Sequence, residues 1–195
     1  MSDRYTKLEI ALRYYLLGAK YHTALKAMDF AKQYHTGTRK DGVTPEFSHQ
    51  VEMSLYILGL KGLIDEERTV TVALLHDVVE DYEHVSIATI NSMFGPEIAD
   101  SCARLDKTGK NYDFYFAEIA KSASDSIVKG ADRVHNVNSM KGVFSKDKQN
   151  KYIEEVEVHF LPMLKLARNR FPQQMQAYFS IMHMLRSQTN LLKDK

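Results

Sequence analysis

Residues 73–81 read ALLHDVVED, and no other stretch limits the fold as much. His76, Asp77, Glu80 and Asp81 stand among Leu74, Leu75, Val78 and Val79, so a segment apolar enough for burial carries an imidazole and three carboxylates. On a helix turning about 100° per residue, with His76 at zero, Glu80 falls at about 40°, Asp77 at about 100° and Asp81 at about 140°. The small Ala73 falls inside that polar arc, while Leu74, Val78 and Val79 take the opposite side. On a strand, adjacent His76 and Asp77 would point to opposite faces. A helix makes one polar site and a strand scatters it, so the segment is expected to be helical. The preceding TVTVAL (69–74) is β-branched and would suit a short buried strand. The acidic residues of LIDEERTVTVALLHDVVED favour a helix N-terminus and support the helical alternative.

The rest of the chain reads the same way. Residues 5–18 place Leu8, Ile10, Ala11, Tyr14, Tyr15 and Leu17 at helix-compatible spacing, and 22–35 repeat the theme with Ala24, Leu25, Met28, Phe30 and Ala31. TGTRKDGVTP (36–45) is loop-forming. Further helices are expected at 47–60, 86–93, 95–106, 112–122, 125–140, 147–169 and 173–187. The expected fold is all-α, a bundle of roughly eight to ten helices forming one domain over residues 1–195, with 141–195 as its helical C-terminal part.

Composition bounds what such a bundle does. The chain has 195 residues, 44% apolar and 26% charged, which suits one soluble globular domain. A net charge of +1 gives no whole-protein argument for polymeric nucleic acid or a membrane surface as partner. The single cysteine, Cys102, excludes an intrachain disulfide and a cysteine zinc cluster and fits a reducing, cytoplasmic setting. The N-terminus lacks the apolar stretch of a signal peptide, and no run is long enough to span a bilayer.

Three carboxylates crowded together repel one another, and one stays protonated unless a positive charge joins them. A divalent metal supplies such a charge, and imidazole with carboxylate suits Mn²⁺, Fe²⁺ or Zn²⁺ better than Ca²⁺. A bare HD pair is common on solvated helices, so the reading needs support from elsewhere. GTRKDGVTPEFSHQ (37–50) is a basic loop with His49 opening a helix. IVKGADRVHNVNSM (127–140) puts Asp132 and Asn136 at i,i+4 on one face of an apolar helix.

His, then His-Asp, then Asp on separate helices resembles the HD-domain metal phosphohydrolases. The flanking RKDG…H, ALLHDVVED and KGADRVHN resemble the hydrolase domain of RelA/SpoT homologues, especially the small alarmone hydrolases, over about residues 22–140. The resemblance implies Mn²⁺ held by His49, His76, Asp77 and Asp132, with Glu80 and Asp81 handling the attacking water. It also implies that Arg39, Lys40, Lys107 and Asn136 hold the nucleotide. The implied reaction is hydrolysis of the 3′-pyrophosphate of (p)ppGpp to GDP or GTP plus pyrophosphate. Synthetase and regulatory domains would need several hundred further residues, so the expectation is degradation only.

Two departures fall where the family holds its substrate. Where the family reads G-E-P-Y before H-P, this chain reads GVTPEFSHQ, and where it reads G-V-T-K, this chain reads ARLDK (103–107). Two alternatives therefore stay open: a phosphohydrolase acting on another phosphorylated nucleotide such as NADPH, and a non-catalytic nucleotide-binding module. His22, His35, His84, His159 and His183 lack partners at informative spacing and read as structural or surface residues, as does His135 in the family pattern. Tyr112, Tyr115 and Phe116 read as core rather than base-stacking, and KTGKNYDFYF (107–116) does not fit a P-loop.

Overall fold

The computed structural model describes residues 2–193; Met1, Asp194 and Lys195 lie outside the described residues. The described regular elements are helices, and β pairing among them is limited to one antiparallel bridge between Thr38 and Pro45. The chain divides into two compact units: residues up to Leu58 with Asp65–Thr108, and Gly59–Ile64 with residues from Gly109 onward.

The first unit holds α1 (Ser2–Ala19), α2 (His22–Tyr34), α3 (Ser48–Leu58), α4 (Glu66–Leu75), α5 (Val78–Asp81), α6 (Ile87–Phe94) and α7 (Pro96–Leu105). Its centre is α4, which packs on α2, α3 and α7. The TVTVAL run is helical. Thr69 and Thr71 donate their hydroxyls to the carbonyls of Asp65 and Glu67, at 2.5 and 2.8 Å, so both are buried with their polar atoms satisfied. Asp65 caps the helix by accepting from the Arg68 amide. Val70, Val72, Leu74 and Leu75 are fully buried, worth about 1.5–3 kcal/mol for each large side chain. Gly95, at φ 86° and ψ 167°, ends α6 and starts α7, and Pro96 takes the first position of the new helix, where its missing N–H costs nothing.

One local expectation is corrected. Residues 73–81 are not one helix: α4 stops at Leu75, His76 and Asp77 form a turn, and α5 restarts at Val78. Both turn residues keep right-handed helical dihedrals (φ −59°, ψ −35° and φ −92°, ψ −12°), so the charges stay on one side. On α1, the apolar periodicity does not mark the buried face. Leu12 and Leu16 are fully buried, whereas Ile10, Tyr14, Tyr15 and Leu17 are exposed.

The second unit holds α8 (Tyr112–Ile119), α9 (Ala123–Ser139), α10 (Lys146–Glu155), a π turn (Val156–Phe160), α11 (Leu161–Arg170), a 3₁₀ turn (Pro172–Gln174) and α12 (Met175–Lys193). The helix expected over 147–169 is thus two helices joined by a π turn, just before Pro162. Proline lacks an N–H and crowds the carbonyl four residues back, and a widened turn relieves both conflicts. Helix α9 is central and packs on α8, α11 and α12. A Cβ at Gly130 would lie 2.9 Å from Ile181 Cγ2 and 2.9 Å from Leu164 Cδ2, so glycine is what lets α11 and α12 approach α9. The buried Tyr178 hydroxyl meets Ser126 Oγ at 2.8 Å and accepts from Gln174 Nε2 at 2.7 Å, and Gln174 Oε1 accepts from the Ile64 amide at 3.3 Å. That network ties the 59–64 segment to its unit. Tyr115 and Phe116 are core residues, as expected, while Tyr112 is exposed.

Candidate metal centre

His49 sits in the first turn of α3, and His76 and Asp77 form the break between α4 and α5. Tertiary packing of α3 on α4 brings the three together. Both imidazoles are buried, and one ligand atom from each of the three residues lies within 4.8 Å of the others. Asp77 reaches His76 Nε2 with Oδ1 at 3.0 Å and His49 Nε2 with Oδ2 at 3.6 Å. The two rings are 5.6 Å apart, centroid to centroid.

The backbone sets the histidine chemistry. His76 Nδ1 lies 2.8 Å from the Ala73 carbonyl, which can only accept, so the proton sits on Nδ1 and Nε2 turns its lone pair into the cluster. Two imidazole nitrogens and a carboxylate suit a divalent transition-metal ion, so these residues fit a metal site.

The remaining acids follow on α5. Glu80, on α5, accepts from Lys107 Nζ at 2.6 Å. Asp81 reaches solvent, yet partial burial first, and the charges of Asp77, Glu80 and Glu46 next, push its carboxyl up to about 6. A carboxyl that resists ionisation is what crowding of these acids was expected to produce. Arg39 and Lys40 lie on the 36–47 loop, whose return leads directly into α3. Asp41 shapes that loop: its Oδ1 accepts from the amides of Val43 and Thr44 at 2.9 and 2.8 Å. Asp106, the extra acid of ARLDK, accepts from the Thr108 amide at 2.8 Å and so forms a turn beside Lys107.

Asp132 and Asn136 belong to the second unit, on α9. Asn136 Nδ2 donates to Asp132 Oδ1 at 2.5 Å, as their i,i+4 spacing requires, and Lys129 Nζ lies 3.4 Å from Asp132 Oδ2. His135, close by, is half-buried.

His35 was underrated by the sequence. It is buried, Gln50 Nε2 lies 3.2 Å from its Nε2, and Tyr82 Oη lies 3.1 Å from its Nδ1. Burial foremost lowers its pKa, against the opposing pull of Asp77 and Glu46. Its partners lie 15 and 47 residues away, where no periodicity could reveal them.

A family model described as an HD domain matches residues 27–163. The chain belongs to the HD-domain family. Within this HD domain, the His49–His76–Asp77 cluster holds the His and His-Asp that the motif order pointed to. Among curated relatives, the chain is 29% identical over 150 residues to the GTP pyrophosphokinase rsh of Brucella melitensis. It is 27% identical over 147 residues to the guanosine-3′,5′-bis(diphosphate) 3′-pyrophosphohydrolase of Aquifex aeolicus. Each match covers 71% of this chain and 19% or 20% of the relative, so the chain spans about a fifth of their length. A solved structure described as a metazoan ortholog of SpoT that hydrolyzes ppGpp matches with a TM-score of 0.65 and 21% identity. It covers 85% of this chain and 94% of that one, and the likeness supports the all-α HD-domain fold. No described helix is long and apolar enough to cross a membrane.

Proposed function

We propose that this chain hydrolyses the 3′-pyrophosphate of (p)ppGpp in a Mn²⁺-dependent reaction, giving GDP or GTP and pyrophosphate. The observation that carries the reading is the His49–His76–Asp77 cluster, with both imidazoles buried and its three ligand atoms within 4.8 Å of one another. The names borne by the relatives direct the choice of substrate. His49, His76 and Asp77 would hold the ion, the family resemblance adds Asp132 to the ligand set, and the two units count as a single HD-type domain. That the family match runs from 27 to 163 supports treating them as one domain. A divalent ion bound there acidifies water and polarises a phosphoryl oxygen.

The residues of this chain divide the remaining work. Glu80 and Asp81 orient the attacking water and accept its proton. Arg39 and Lys40 neutralise phosphate charge from the loop that precedes α3, and Lys107 does so from beside Glu80. Asn136, fixed by its hydrogen bond to Asp132, steadies the nucleotide. One water is consumed, the 3′ ester bond breaks, and pyrophosphate leaves. Cys102, buried and the single cysteine of the sequence, supports a cytoplasmic setting.

Purified protein incubated with ppGpp and Mn²⁺, with and without EDTA, tests this directly. GDP and pyrophosphate appearing only with metal are expected on chromatography. Absence of GDP under saturating Mn²⁺ refutes the substrate. The departures at 43–47 and 103–106 are the features that favour a second nucleotide class, so NADPH belongs in the same assay.

A further inference from the structure

Four residues join the segments that flank the cluster. Gln50 Nε2 approaches His35 Nε2 at 3.2 Å, and Tyr82 Oη approaches His35 Nδ1 at 3.1 Å. Tyr82 also donates to Glu46 Oε2 at 3.2 Å, and the same oxygen accepts from the Gly37 amide at 3.2 Å. The donors and acceptors run in one direction. The Gln50 amide donates to His35 Nε2, so the His35 proton lies on Nδ1 and donates to the Tyr82 oxygen, which frees the Tyr82 proton for Glu46. Each member stands next to chemistry. Gln50 follows His49, Tyr82 follows Asp81, and Gly37 and Glu46 belong to the loop carrying Arg39 and Lys40.

The aromatic packing keeps Tyr82 in place independently of its hydroxyl. Its ring lies 5.1 Å from that of His35, 5.6 Å from that of Tyr34 and 6.2 Å from that of His84. The loop has its own bonds as well: the Arg39 amide donates to the Thr44 carbonyl at 2.8 Å and the Glu46 amide to the Gly37 carbonyl at 2.9 Å. The loop is therefore an ordered hairpin whose attachment to α5 runs through Glu46 and the Tyr82 hydroxyl. Two members of the chain of bonds, Glu46 and Gln50, lie in GVTPEFSHQ, where the sequence leaves the G-E-P-Y…H-P pattern.

We infer that Gln50, His35, Tyr82 and Glu46 are positioning residues: a hydrogen-bonded relay that locks the basic 36–47 loop to the helix bearing Glu80 and Asp81, so that substrate charge is met where water is activated. The inference rests on the proposed hydrolase reading for its catalytic consequence, but the lock itself is a property of the free protein. Removing the Tyr82 hydroxyl deletes its bond to the Glu46 carboxylate and its bond from His35 while leaving the ring, and the bond to the carboxylate is worth about a tenfold change in an opening equilibrium.

Tyr82→Phe and Glu46→Ala are compared with wild type by amide hydrogen exchange of residues 36–47 and by steady-state kinetics on ppGpp. Both variants are expected to speed loop exchange about tenfold, with Gly37 leading, and to raise KM severalfold with kcat within about twofold. Glu46→Gln, whose amide oxygen still accepts, is expected to restore most of both. The double variant should be no worse than Glu46→Ala, which also loses the Gly37 bond, because the Tyr82–Glu46 link is already cut in it. Unchanged loop exchange in Tyr82→Phe overturns the relay, whatever the protein hydrolyses. An equal loss in kcat and kcat/KM overturns the positioning role. Faster loop exchange in a protein whose wild type turns over no ppGpp supports the lock and refutes the substrate.

Discussion

Replacing His76 by alanine tests the metal centre through stability rather than turnover. His76 contributes Nε2 to the cluster and is oriented by its Nδ1 bond to Ala73. In wild type, adding metal to about 100 times its Kd stabilises the folded state by about 2.7 kcal/mol. For a chain of this length each kcal/mol moves Tm by about 2–4 °C, so the rise is about 5–11 °C. Losing even an outer partner of a ligand costs about 10–100-fold in metal affinity, so losing a direct ligand takes at least about 100-fold. At the same metal concentration the variant then gains about 0.4 kcal/mol, a Tm rise of about 1–2 °C. The alanine also gives up the bond to Ala73, about 0.5–1.5 kcal/mol, which lowers Tm with or without metal. The informative quantity is therefore the metal-induced shift, measured by scanning calorimetry on EDTA-stripped protein titrated with Mn²⁺. A shift in His76→Ala as large as in wild type refutes the assignment of this cluster as the metal site.

Three further outcomes are expected. Glu80→Gln should keep the metal-induced Tm shift and slow ppGpp turnover by about 10²–10⁴, and turnover near the wild-type rate would remove Glu80 from the water-handling pair. Gly130→Val should lower stability by about 1–3 kcal/mol in denaturant melts, because the new side chain meets Ile181 and Leu164 at the crossing of α9 with α12 and α11; an unchanged midpoint would show that the crossing has slack. Asp41 is held down to about 2 from 3.8, first by its bonds with Thr44, so its folded form gains stability above the unfolded value and loses it as pH falls toward 2. The stability gap between wild type and Asp41→Ala should accordingly be open near neutrality and close between about pH 4 and 2, and a gap that stays constant across that range would refute the turn's role.

Helix type and extent were readable because local physics decides them. Apolar periodicity, the acidic start of α4 and the Gly95-Pro96 junction each act within a few residues, and the expected helices at 86–93, 95–106 and 125–140 correspond to α6, α7 and α9. The turn at His76–Asp77 escaped that reading because its dihedrals barely leave the helical range and no glycine or proline marks it. The buried face of α1 escaped it too. Leu12 and Leu16 share a face by spacing, but Ile10, Tyr14, Tyr15 and Leu17 offer as much apolar surface, and only the helices packed against α1 select between them.

The sequence by itself determined an all-α chain, the order of its three motifs, and the pairing of Asp132 with Asn136, since one helical turn suffices to bring i and i+4 together. Only the tertiary structure decided that His49 meets Asp77, that Lys107 pairs with Glu80, and that His35 and Tyr82 join Gln50 to Glu46. Those partners are far apart along the chain, and contacts of that separation are set by how helix faces bury apolar area against one another. Hydrophobic burial of that kind is non-directional, so no spacing rule in the sequence encodes which distant residues it will bring within reach.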